Sequence, residues 1–493
     1  MNHLIIAPVV LPAVMAGVIV LAARRSVAAQ RVIAAVTLLA LLGLVAVLLR
    51  QSGTGPPQAY FLGNWPAPFG IVLMFDRLSA LMLALTAGLA AVIWGYVIAT
   101  GWDRRGKHFH ALFLFQLMGL NGAFLTGDAF NLFVFFEVML IASYGLMVHG
   151  GGAARLRAGV QYVAFNLLGS TLFLFGLATI YSVTGTLNMS DLAVKLAVLP
   201  PGDAALIRVA AVMLLLVFAI KGALVPLHFW LPGTYAHAPG PVAALFSVMT
   251  KVGAYAVIRF GTLIFTAPAT AGLWDAVLMP AALATMAVGA IGVMGSQSLM
   301  RMAAFAGIGS TGMVFLAIAA GTPAATAAAL YYTLHSTLAT AALFLVADLI
   351  RSGNQGDDPA APPSGLIAAL FMAAAIAMAG MPPLSGFVGK LLVMDVLRDQ
   401  AALLWSAILV SSLLTILGFA RAGSRLFWKP DALERPALPQ PHPATTTPVI
   451  VLLAALAALT VLAGPITRWL DITATSLHAP AAYIAANALQ AVP

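Results

Sequence analysis

The 493-residue sequence contains no cysteine, and only 8% of its residues are charged. Without cysteine there is no disulfide framework, and neither an iron–sulfur cluster nor a cysteine-ligated zinc site can form on this chain. Any redox chemistry it served would need its centres on another subunit. The scarcity of charge accompanies 62% hydrophobic residues, more apolar surface than one soluble core can hide, so lipid is the expected solvent. The formal charge of +9 would suggest nucleic acid in a soluble protein. Here the basic residues sit in short segments between apolar runs, a pattern of membrane topology and not of a nucleic-acid partner. A basic segment ahead of the first apolar run, Leu4 to Ala22, is also missing, whereas Arg24 and Arg25 follow it. A retained first helix fits that order better than a cleaved signal peptide.

What is present is a succession of apolar runs of about 17–25 residues, the length that crosses a bilayer as a helix. They begin near Leu4, Val32, Leu78, Phe109, Ala129, Gly159, Ala205, Pro241, Gly272, Met300, Ala324, Leu366, Ala401 and Thr446. The expected fold is therefore an all-α polytopic membrane protein of about fourteen spans. Charge tests this count independently. Arg24, Arg25, Arg31, Arg104, Arg105, Lys107, Arg155, Arg157, Arg301, Arg351, Arg421, Arg425, Lys429 and Arg435 fall in odd-numbered loops. Even-numbered loops and the tail carry Arg50, Arg77, Lys195, Arg208, Arg259, Arg398 and Arg468. Fourteen against seven places the odd loops in the cytoplasm and both termini outside.

The longest polar stretches, Gln51–Gly70, Ser352–Ser364 and Lys429–Pro443, are too short for a folded soluble domain. The chain reads as one membrane domain, 1–493, with three N-terminal spans in 1–108 and a C-terminal span and tail in 444–493. Between these lie two segments with matching interruptions rich in proline and glycine. One is KGALVPLHFWLPGTYAHAPGP, Lys221–Pro241, in the seventh span; the other is GMPPLSGFVG, Gly380–Gly389, in the twelfth. Proline removes a backbone donor and clashes with the preceding turn, so both spans should be broken helices. Breaks five spans apart suggest two five-helix repeats, spans four to eight (109–261) and nine to thirteen (271–428). Because five is odd, the second copy must be inverted in the membrane.

Setting loops aside leaves Glu137, Lys221, Lys251, His335 and Lys390 near the middle of spans. An ionised group there costs about 2.5–3.5 kcal/mol on insertion scales, so each needs a partner, water or a function. Glu137 is one of only two glutamates, the other being Glu434 in a polar loop. A carboxylate near Lys221 changes how tightly the lysine holds its proton, which would make the pair a proton switch. The alternative is a pair that merely closes the bundle. His335, between Lys251 and Lys390 in this row, can both accept and give a proton near neutral pH, although a lone histidine on an apolar helix is often structural. Lys390 reads as the terminal site, with snorkelling to an interface as its alternative.

Other features point less to chemistry. His228 and His237 flank the first break and could hold water there. His108 and His110 have metal-like spacing but sit in a basic segment read as lacking acids, so no metal site is expected. Asp76 and Asp128 stand before spans as helix caps, with an ion-path mouth as the alternative for Asp128. The glycines at 150–152 mark a loop, and no nucleotide fingerprint or other cofactor motif is present.

Three stretches, GDAFNLFVFFEVMLIASYGL, KGALVPLHFWLPGTYAHAPGPVAALFSVMTKVGAYAVIR and AMAGMPPLSGFVGKLLV, resemble the antiporter-like membrane subunits shared by Mrp-type (Pha) multisubunit cation/proton antiporters and respiratory complex I. With the span pattern, the likeness covers nearly the whole chain and looks most like the D-type subunits of Mrp antiporters. The resemblance implies fourteen helices with inverted repeats, a hydrophilic axis at the membrane midplane, and no cofactor. It assigns the paired switch to Glu137 and Lys221, a basic relay to Lys251 and the terminal site to Lys390. At the last position some relatives carry glutamate. His335 matches a polar link whose identity varies across the family. The implied partners are Mrp subunits of types A, B, C, E, F and G, with protons and Na+ or K+ as cargo, in the bacterial cytoplasmic membrane. A redox-driven pump subunit of complex I or a membrane-bound hydrogenase is the rival expectation, and a scaffold whose buried charges only set helix register is a third.

Overall fold

Apolar length decides the architecture before any particular contact does. In the computed structural model, which describes residues 2–200, 202, 204–354, 363–427 and 442–489, almost every long segment is helical. The first half comprises α1 (Ala7–Ala22), α2 (Val27–Thr54), α3 (Arg77–Thr100), α4 (Phe109–Leu125), α5 (Ala129–Met147), α6 (Ala153–Thr184), α7 (Met189–Ala197), α8 (Ala204–Gly222), α9 (Trp230–His237), α10 (Gly240–Phe246) and α11 (Met249–Leu263). The second comprises α12 (Asp275–Gly295), α13 (Leu299–Ile318), α14 (Pro323–Asn354), α15 (Gly365–Ala379), α16 (Ser385–Val396), α17 (Ala401–Phe427), α18 (Pro443–Val461), α19 (Ala463–His478) and α20 (Ala481–Ala486). Among the described residues eleven helical segments are long and apolar enough to cross a bilayer, and the shorter apolar helices α1, α4 and α15 stand where the sequence also begins a span. The chain is a polytopic membrane protein. Lys429, Glu434 and Arg435, and much of two polar loops read from the sequence, lie outside the described residues.

Local chemistry sets the boundaries. Asp76 caps α3, accepting from the Ser79 amide at 2.9 Å while the Ser79 hydroxyl accepts from the Asp76 amide at 2.8 Å, a reciprocal capping box. Asp128 caps α5 through the Asn131 amide at 2.8 Å. Both breaks occur where the prolines place them: α8 stops at Gly222 before α9 begins at Trp230, and α15 stops at Ala379 before α16 begins at Ser385. A third interruption was not foreseen. The segment Gly240–Leu263 is broken by a turn at Ser247 and Val248, and the Lys251 amide bonds the Val248 carbonyl three residues back at 3.0 Å, the tighter pattern of a 3₁₀ turn.

Burial separates the centre from the rim. The apolar stretch within Gly240–Leu263 is 100% buried, and that within Pro323–Ser352 is 89% buried, whereas the corresponding figure for Arg398–Phe427 is 22%. Helices α10, α11 and α14 therefore form the core, and α17 turns most of its surface outward. Two details depart from the sequence expectation. The stretch read as a polar loop, Gln51–Gly70, supplies β1 (Gln58–Phe61), which pairs antiparallel with β2 (Val72–Phe75) just beyond it. Arg259, read as a loop charge, lies in α11, 3% exposed, with Nη1 2.7 Å from Asp76 Oδ2; a buried carboxylate partner is what allows arginine at this depth.

Candidate functional site

Glu137 lies on α5 and Lys221 in the last turn of α8, where unpaired carbonyls favour a cation. Among the described residues no direct ion pair joins them. Helix α6 stands between. Ser170 donates its hydroxyl to Glu137, and Asn166, one turn earlier on α6, accepts from Lys221 Nζ at 3.0 Å. The Asn166 amide nitrogen is fixed in turn by the Tyr162 carbonyl at 2.9 Å. Lys221 Nζ also lies 6.0 Å from the centre of the Phe136 ring, the face of an aromatic that attracts a cation. The acid and base are thus joined through two neutral polar side chains and not by contact.

Lys251, 2% exposed, follows the turn that splits α10 from α11 and donates to Thr311 of α13 at 3.0 Å. Helices α8 and α11 approach closely here: a side-chain carbon on Gly253 would fall 2.6 Å from the Gly222 amide nitrogen, directly after Lys221. Only glycine permits that contact.

A second set of polar contacts is built across α13, α14, α16 and α17. Ser310, the neighbour of Thr311, donates to Ser336 at 2.6 Å, and Ser336 is the neighbour of His335. His335 Nδ1 lies 3.0 Å from the Ser385 hydroxyl at the start of α16, while its Nε2 is buried with no hydrogen-bond partner among the described residues. Lys390, five residues along α16, donates to the Ala379 carbonyl at 2.6 Å and to Ser412 of α17 at 2.7 Å. It therefore closes the exposed end of α15 across the break. A cavity of about 20 Å3 beside it is lined by Ser310, Tyr332, Ser411 and Thr415, enough for a water molecule.

The five residues singled out in the sequence thus fall into two sets of contacts, Glu137 and Lys221 against α6, and Lys251, His335 and Lys390 among α13, α14, α16 and α17. The intervening Asn166, Ser170, Thr311 and Ser412 were not foreseen. Serine and threonine in apolar helices commonly bond their own backbone, so they carry little signal; Asn166, an amide in an apolar span, was the one readable clue. Asp348 was also missed. It is 3% exposed on α14, and its Oδ2 accepts from the Tyr96 hydroxyl at 2.8 Å and Trp102 Nε1 at 2.9 Å.

The weaker candidates resolve individually. His110 is not in an acid-free loop: it lies in α4, with Nε2 3.1 Å from Asp103, which Arg31 also holds at 2.7 Å. Burial disfavours charge on Asp103, but those hydrogen bonds prevail and hold its carboxyl below the usual range. The same balance, burial against the Arg259 charge, keeps Asp76 low. His237 Nδ1 bonds the Gly233 carbonyl at 2.7 Å, and His228 Nδ1 is buried without a partner among the described residues. Asp128 differs: burial pushes its carboxyl up to about 6. No group of three or more histidine, cysteine, aspartate or glutamate side chains is placed to hold a metal among the described residues.

Comparison with known proteins adds a second line of observation. The family model described as NADH:quinone oxidoreductase/Mrp antiporter, transmembrane, matches residues 126–415. The D subunit of a probable K(+)/H(+) antiporter of Rhizobium meliloti (strain 1021) is 40% identical, over 97% of this chain and 96% of that protein. The D subunit of the Na(+)/H(+) antiporter of Bacillus subtilis (strain 168) is 36% identical over 99% of both. Among solved structures, a chain of the Mrp complex from Dietzia sp. DQ12-45-1b superposes with a TM-score of 0.89 at 28% identity, covering 99% of this chain and 100% of that one. A chain of respiratory complex I from Thermus thermophilus with bound NADH gives 0.82 at 25% identity, covering 97% and 99%.

Proposed function

Because the chain belongs to the NADH:quinone oxidoreductase/Mrp antiporter transmembrane family, we propose that it is the D-type, proton-translocating subunit of a multisubunit Mrp-type Na+(K+)/H+ antiporter. It is a secondary-transporter subunit and not itself an enzyme. Its partners are the A, B, C, E, F and G type subunits, and it lies in the bacterial cytoplasmic membrane with fourteen spans and both termini outside. Segments 109–261 and 271–428 form the inverted repeats.

Protons move along the row Glu137, Lys221, Lys251, His335, Lys390 through side chains and water, inward as Na+ or K+ leaves. The observation that carries this reading is the junction on α6, where Ser170 meets Glu137 and Asn166 meets Lys221. An acid and a base held apart by neutral groups keep a coupling that depends on their separation. A charge arriving at one member changes the proton affinity of the next, which links successive steps through a low-dielectric interior. A direct, closed ion pair would resist such adjustment.

The redox-driven rival has the complex I likeness in its favour, while the antiporter subunits match at higher identity over nearly the whole chain. Purification of the native complex discriminates between them. Co-purified small antiporter subunits, with Na+- or K+-dependent proton movement in everted vesicles, are expected; flavin and iron–sulfur subunits in their place would overturn the reading.

A further inference from the structure

Away from the proton row, a cavity of about 100 Å3 lies at the end of the bundle that carries the β1–β2 hairpin. The start of α3, the last turns of α11 and the tail helices α19 and α20 enclose it. Arg77, Arg259, Asp76 and Tyr483 line it, and among the described residues Asp76 is the only acidic side chain in its wall. Asp76 is committed to Arg259, with Oδ2 2.7 Å from Nη1. Two guanidinium groups against one carboxylate leave the wall with one positive charge in excess.

Three donors in this wall are unused. Arg77 Nη1, Arg259 Nε and the Tyr483 hydroxyl are buried without hydrogen-bond partners among the described residues. Both Arg259, 3% exposed, and Tyr483, 5% exposed, are held almost wholly inside. Their surroundings fix them in place. The Arg259 guanidinium stacks 4.7 Å from the Tyr483 ring centre, that of Arg77 lies 5.3 Å from the Trp469 ring centre, and Arg77 Nη2 bonds the Gly53 carbonyl at 2.6 Å. Buried donors are normally satisfied, so three orphans in one electropositive cavity describe a site awaiting an acceptor. Guanidinium groups match the oxygens of phosphate in geometry as well as charge. The volume exceeds that of a single water, and the cavity lies at span ends, where headgroups and aromatic anchors meet.

We propose that this cavity binds a tetrahedral phosphorus oxyanion of one net negative charge, the phosphodiester of a lipid headgroup or monobasic phosphate. Arg77 and Arg259 hold its oxygens, and the Tyr483 hydroxyl donates to a further one. Ligand occupancy would fasten the tail helices to the start of α3 and the end of α11.

The test measures binding and is independent of transport. The purified whole complex is incubated with headgroup-labelled phosphatidylglycerol or with labelled inorganic phosphate, and retention after gel filtration is compared with that of complexes carrying Arg77→Gln, Tyr483→Phe or Ala482→Phe in this chain. Tyr483→Phe keeps the ring stack and removes only the hydroxyl, and Ala482→Phe fills the cavity. Saturable binding of one probe by the native complex, weakened about tenfold or more by each substitution in assembled complexes, is the expected result. Lipid retained against excess phosphate identifies the headgroup as ligand; phosphate bound without lipid identifies the free ion. Binding of neither probe, or equal binding by native and substituted complexes, would overturn the proposal.

Discussion

Asn166 and Ser170, one turn apart on α6, divide between them the acid and base of the proposed switch: Lys221 donates to Asn166 at 3.0 Å, while Ser170 donates to Glu137. The distance between the two charges is therefore a property of α6. A small shift of that helix alters their electrostatic coupling without breaking a covalent or ionic contact.

Asn166→Leu removes the acceptor and leaves Lys221 buried without it. A hydrogen bond to a charged group contributes about 1.5–3 kcal/mol, so cation-dependent proton movement in everted vesicles should fall about tenfold or more. Subunit stoichiometry of the purified complex should be unchanged. Undiminished transport would show that α6 is a bystander.

Packing at the second break makes a separate demand. A side-chain carbon on Gly386 would lie 2.3 Å from the Ala377 carbonyl oxygen and 2.8 Å from His335 Cε1. Gly386→Ala should therefore force apart α15, α16 and the His335 ring, at a cost of about 1–3 kcal/mol from overpacking. Thermal unfolding of the purified complex reports the stability loss, and vesicle assays should show a larger loss of transport. Native values in both would contradict the tight fit.

Asp128 offers a pH signature outside the spans. Burial lifts its carboxyl from 3.8 to about 6, although amide hydrogen bonds, including that from Asn131, oppose the shift. With the folded value above the unfolded one, the stabilising contribution is complete below about pH 4 and is lost as pH rises through about 6. Asn keeps the helix cap and mimics the neutral acid. Asp128→Asn should thus match the native midpoint of thermal unfolding near about pH 4 and exceed it at about pH 7.5. An offset that does not change between those two pH values would contradict the assignment.

Much of this was legible in the sequence because lipid imposes simple rules. Spans announce themselves by length, proline breaks the two helices where expected, and Glu137, Lys221, Lys251, His335 and Lys390 stand out against apolar neighbours. What connects them was not legible. Thr311 and Ser412 look like any hydroxyl in an apolar helix until the partner lysines are in place. Arg259 passes for a loop charge because its partner, Asp76, lies far away in sequence, where it reads as a cap alone. It is both. His110 misleads differently: Asp103 is near in sequence but stands beside Arg104, Arg105 and Lys107, and the turn preceding α4 folds it back onto the histidine.

The most direct measurement of the central claim is cation-dependent proton movement in everted vesicles carrying the complete complex with Lys221→Ala. The host should lack other antiporters, and assembly should be verified by the subunits recovered from the same membranes. Loss of proton movement on addition of Na+ or K+, with every subunit present, is the predicted result; full activity from an assembled Lys221→Ala complex would contradict it.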